Sequence, residues 1–158
     1  MKRILASVAL ALTAIAQAHA DTLAVQVKTE AQRLLVDVSA AEAAAKVRPG
    51  AKPPMVAPAL ASDLQRFGLA ASRLSMEIDQ RGGPTDLRCI FRGMAEETGK
   101  QLEAATQAKT GADQAKAYAR LTHMLKDAVE IAPAAAGNTR AASSARAAAA
   151  TCPASKDF

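Results

Sequence analysis

One residue in four of this chain is alanine, 41 of 158, and that bias decides which interiors it can build. Alanine has the highest helix propensity and adds little buried area, so it fills seams between close-packed helices but leaves the inner faces of a β-sandwich empty. Beyond residue 20, Leu, Ile, Val and Phe number only 24 of 138 residues, near the composition at which burial stops offsetting chain entropy. Tryptophan is absent and there is one tyrosine. The predicted fold class is therefore all-α: a small antiparallel bundle of four or five helices, alanine-rich, with a thin core and no deep aromatic pocket.

Residues 1–20, MKRILASVALALTAIAQAHA, have the layout of an export signal. Lys2 and Arg3 give a positive start, Ile4 to Ala16 an uncharged apolar run, and Ala18-His19-Ala20 a small-x-small cleavage site. The run is shorter than the roughly 20 residues a membrane span needs, and no cysteine follows it to carry a lipid. The expected mature chain starts at Asp21 as a single helical domain, 21–158, with no transmembrane segment, in the periplasm or outside the cell. It carries 18 basic and 15 acidic residues, an excess too small to point to nucleic acid.

Export sets the chemistry of the two cysteines. Cys89 and Cys152 are an even pair without metal-ligand spacing, which in an oxidising compartment predicts one disulfide. Such a bridge closes a loop of about 60 residues, for which the chain-entropy estimate is about 4 kcal/mol.

Helical periodicity covers most of the remainder. Val27, Ala31, Leu34, Val38, Ala41 and Ala45 recur at threes and fours, predicting a helix that ends at Arg48-Pro49-Gly50. Four prolines between residues 48 and 58 form a connector, either a loose linker or a lid. Leu60, Leu64, Phe67, Ala71, Leu74 and Ile78 form the clearest stripe, on a helix from about 59 to 80 that Gly82-Gly83 terminates. The next helix starts with Gly83 or Thr85 as its cap and turns Leu87, Ile90, Phe91, Met94, Thr98, Leu102 and Ala105 inward. Gly93 and Gly99 weaken it, a cost consistent with close helix approach. Thr110 to Asp113 resembles a capping box and opens a helix with Ala115, Tyr118, Thr122, Leu125 and Val129 inward, stopping before Pro133. The alanine-rich segment 134–158 has few large side chains to hold it, so Cys152 is expected to supply the attachment.

No motif for covalent haem, a phosphate-binding loop or a zinc peptidase is present, and the one histidine after residue 20, His123, cannot build a ferritin-like pair of Glu-x-x-His sites. His123 with Met124, Met55, Met76 and Met94 resembles a soft-metal ligand set in composition, but methionines in helical stripes are better read as core filler. No cofactor or metal is predicted, and no catalytic residues. The remaining candidates are Arg81, Arg88 and Arg92, grouped around Gly82-Gly83. Asp63 pairs with Arg66 at three residues, Glu77 with Arg73 and Glu96 with Arg92 at four; with Glu77 assigned to Arg73, Arg81 and Arg88 are left without an acidic neighbour at helical spacing. The three are expected to face solvent as a partner-binding surface. The function this predicts is that of an exported non-catalytic protein binding another envelope or secreted protein as an inhibitor, immunity factor, chaperone or assembly partner. The alternative is a small-ligand or metal-binding bundle.

Overall fold

The computed structural model describes residues 2–137 and Cys152, with side chains from Thr22 onward. Four helices follow in order: α1 (Lys2–Val47), α2 (Pro58–Gln80), α3 (Thr85–Gln107) and α4 (Gly111–Gly137), with no strand among the described residues. Each packs on its chain neighbours, and α1 returns against α4 to close the ring. The α1–α4 pair is antiparallel, since Gly111 lies against the Ala45 carbonyl and Thr122 Oγ1 donates to Glu42. None of the helices among the described residues is long and apolar enough to cross a membrane. The export signal at 1–20 falls on residues whose side chains lie outside the described ones, as do the tail residues 138–151 and 153–158.

The helical stripes become one core. Val27, Ala31, Leu34 and Val38 of α1 are fully buried, and all six predicted positions of α2 are buried. Burial of Leu64, Phe67, Leu74 and Ile78 contributes about 1.5–3 kcal/mol each. Alanine is distributed unevenly: of eleven buried alanines among the described residues, eight lie on α1 and α4. The α1–α4 seam is therefore built from small side chains, while α2 supplies the bulk. α4 buries a wider face than its stripe predicts, adding Leu121, Met124, Ala128 and Ala132, because it contacts both α1 and α3.

Several boundaries differ from expectation. α4 runs through Pro133 to Gly137. A proline inside a helix costs about 3 kcal/mol, and here Ala132 and Ala135, buried on either side of it, hold the last turn in the core. The residue capping α3 is Pro84, neither Gly83 nor Thr85, and it makes no side-chain capping bond; its carbonyl accepts from the Arg88 amide at 3.2 Å. Gly93 and Gly99 face open space, while Gly68 of α2 sits against Ala95 and Thr98 of α3. Helix contact therefore does not account for the two α3 glycines.

The connector is held in place. The Pro49 and Ala51 carbonyls accept from the Ala112 and Gly111 amides, each at 2.9 Å, satisfying the first donors of α4. Buried Gln114 donates through Nε2 to the Pro54 carbonyl at 2.9 Å and the Ala105 carbonyl at 3.2 Å, joining connector, α3 and α4. The Thr110 cap forms with a changed return bond: its oxygen accepts from the Asp113 amide at 3.2 Å, while its hydroxyl donates to the Asp113 carboxylate at 2.7 Å.

Candidate functional site

The arginines gather where α2 reverses into α3. Gly82 takes the left-handed conformation, φ 66°, and two bonds close the helix end: Gly82 N–H to the Asp79 carbonyl at 3.0 Å and Gly83 N–H to the Ile78 carbonyl at 2.8 Å. This is a Schellman ending, which satisfies carbonyls that a helix terminus otherwise leaves open. A Cβ on Gly83 would lie 2.9 Å from Ile78 Cγ2 and 3.1 Å from its carbonyl oxygen. Glycine is needed at both positions for different reasons, conformation at one and space at the other.

Around this turn, each arginine has a carboxylate. Arg81 Nε donates to the Glu77 carbonyl at 3.2 Å and lies 3.7 Å from Glu77 Oε1. Arg88 Nη1 donates to Asp79 Oδ1 at 2.5 Å, and Ser75 Oγ donates to the Arg88 carbonyl at 2.9 Å, so Arg88 fastens α3 to α2 through both side chain and backbone. Arg92 Nε reaches Glu96 Oε1 at 2.8 Å, as the spacing predicts. Glu77, expected to pair with Arg73, turns to Arg81 instead. Asp79 and Arg88 are nine residues apart across a reversal, a separation that helical spacing rules do not reach.

Exposure separates the three. The Arg81 and Arg88 side chains are 15% and 18% exposed, whereas Arg92 is 63% exposed. The expectation of three solvent-facing guanidinium groups therefore holds for Arg92 alone. Arg81 Nη1 is buried without a hydrogen-bond acceptor among the described residues. Next to Arg88, half-buried Cys89 bonds to Cys152 with a Cα–Cα distance of 5.3 Å, as the cysteine pairing predicts. The two cysteines are 63 residues apart, and the bond holds Cys152 beside the first turns of α3.

The residues considered for soft-metal binding are distributed differently. Met94 and Met124 are buried, and Thr98 Oγ1 lies 3.6 Å from Met124 Sδ, while His123 faces outward and Met55 and Met76 are exposed. Among the described residues, no three His, Cys, Asp or Glu side chains converge as a metal site.

Two carboxylates outside the turn are held below their ordinary values. Asp63 of α2 accepts from Arg33 of α1 and from Arg66, and the Arg33 hydrogen bond is the main cause of its lowered pKa. Glu42 accepts from Lys46 at 2.5 Å and Thr122 at 3.2 Å, with Lys46 the main cause. Both pin α1 to a neighbouring helix. The chain matches no family model, no curated protein and no solved structure.

Proposed function

We propose that this is an exported, non-catalytic helical protein that binds another envelope or secreted protein, as an inhibitor, immunity factor, chaperone or assembly partner, through the face at the α2–α3 turn. The observation that carries it is the Cys89–Cys152 bond. Disulfides persist where the surroundings are oxidising, in keeping with the signal-like residues 1–20. The bond also holds Cys152 against the first turns of α3, next to Arg88, and a covalent tie beside a binding face lowers the ordering entropy that binding costs. Arg92 is the exposed guanidinium on that face, and Arg81 and Arg88 support the turn beneath it. The described core begins at Ala24, so cleavage after Ala20 leaves every described core residue in place.

N-terminal sequencing of the protein purified from cells returns Asp-Thr-Leu under this reading; an intact Met1 or a mainly cytoplasmic pool refutes export. Affinity capture from envelope extract with the oxidised mature chain then identifies the partner. Arg92→Gln lowers its affinity several-fold and flattens the salt dependence while leaving the melting curve unchanged. Unchanged affinity removes the arginine face from the proposal. The triple change that includes Arg81 and Arg88 is the weaker test, because both are largely buried and ion-paired.

A further inference from the structure

The opposite end of the bundle is formed by the α1 C-terminus, the connector and the α3–α4 turn, joined by the bonds from Gly111, Ala112 and Gln114. Residues 42–62 and 103–117, which build it, contain five cations, Lys46, Arg48, Lys52, Lys109 and Lys116, against three carboxylates, Glu42, Glu103 and Asp113. All five are exposed. Lys46 and Lys116 pair with Glu42 and Asp113. Arg48, Lys52 and Lys109 have no ion-pair partner among the described residues. The rest of residues 22–137 carries ten cations and ten acids, so the positive excess of the described bundle lies at this end.

Apolar side chains accompany the charge. Met55 is 93% exposed and Val47 75%, the two most exposed large hydrophobic residues among those described, and both lie on this end. The connector that carries Met55 is tied to α4 through Pro49, Ala51 and Pro54, so its position in water is set by the fold. A groove of about 280 Å³ on the same end is lined by Pro49, Ala112, Ala115 and Ala119 and by the aliphatic stems of Lys46 and Lys116.

We propose that this end docks on an anionic membrane leaflet, with Met55 and Val47 entering the interface and Arg48, Lys52 and Lys109 meeting lipid phosphates. Charge alone would also suit an acidic protein. A folded partner, however, needs a packed counter-surface around each exposed apolar side chain, whereas a leaflet accepts such side chains wherever they meet its plane. Attachment of this kind is reversible and dominated by charge, because two apolar side chains are too little for stable insertion.

The test is co-sedimentation of the oxidised chain starting at Asp21, free of the apolar signal, with vesicles of phosphatidylcholine alone or containing about 30% phosphatidylglycerol, an anionic content chosen to give a negative surface potential. The expected result is binding to the anionic vesicles only, lost as salt is raised. Changing Arg48, Lys52 and Lys109 together to Gln lowers binding roughly fivefold per charge removed. Met55→Ser weakens binding several-fold without altering the salt dependence, and Arg92→Gln at the other end has no effect. Circular dichroism and melting verify the fold, and the single changes Lys52→Gln and Lys109→Gln carry the test if the triple variant misfolds. Equal binding to both vesicle types, no binding to anionic vesicles, or full binding by the charge variants overturns the proposal. Binding to polyglutamate but not to anionic vesicles overturns it in favour of an acidic protein.

Discussion

The two ends of the bundle use basic residues in opposite ways. At the α2–α3 turn, Arg81, Arg88 and Arg92 are matched by Glu77, Asp79 and Glu96, the chain reversal is closed by a Schellman ending and by Arg88 reaching Asp79, and Cys89 of α3 is bonded to Cys152. At the connector end, backbone carbonyls and Gln114 close the structure, and the side chains of Arg48, Lys52 and Lys109 have no part in those bonds. Arg81 and Arg88, largely desolvated and paired, are lost to recognition, whereas Arg92, paired only within α3, stays exposed. Cations left out of the fastening remain available to a partner. Counting charge over the whole chain hides this division.

The disulfide should give the largest effect in a test of this comparison. Replacing Cys89 and Cys152 with alanine removes a closed loop of 63 residues' separation, which the chain-entropy model values at about 4 kcal/mol. Urea unfolding of the variant should show that loss, and limited proteolysis should cut first within residues 138–158. A variant as stable and as protease-resistant as the oxidised parent would mean that the bridge adds nothing to the hold on the chain beyond α4.

Gly111→Ala is the matching change at the connector end. Its Cβ would fall 2.5 Å from both the Ala45 and Arg48 carbonyl oxygens, so α1 and α4 must part where the connector crosses. The expected cost is about 1–3 kcal/mol, read from the urea midpoint. A neutral result would show that this end is looser than its hydrogen bonds imply.

Between the ends, Gly99→Ala tests a region that neither closure controls. Gly99 is exposed, with nothing within 4 Å of an added Cβ, so the change should stabilise the protein by up to about 1 kcal/mol through helix propensity. A loss of stability would instead reveal a contact at this face of α3.

The smallest expected effect is on pH dependence. Glu42 and Asp63 have folded pKa values below their ordinary 4.5 and 3.8. A lowered carboxylate pKa contributes stability that is fully present above the unfolded value and is lost as pH falls through the folded one. The urea midpoint should therefore hold steady down to about pH 5 and fall below about pH 4. Glu42→Gln should make that fall shallower, since Glu42 no longer titrates, and an identical acid profile would remove it from the effect.

The sequence by itself determined what depends on neighbours within a few turns of helix. The stripes from Val27 to Val38 and Leu60 to Ile78, the glycine ending at 82–83 and the Arg92–Glu96 pair follow from 3.6-residue periodicity and local backbone preference. The cysteine pairing was legible because two cysteines have only one intrachain partner choice. The Glu77–Arg81 pair was within reach of the same i,i+4 spacing. Tertiary structure alone decided that Asp79 meets Arg88 across the turn and that α4 continues through Pro133. It also decided that the prolines form a strap closed by Gln114, sixty residues from Pro54. Each of these turns on which helix faces which, and in a chain with this much alanine many facings have similar local cost. The few large side chains and the backbone donors at helix ends choose among them, and they do so only when all four helices are assembled.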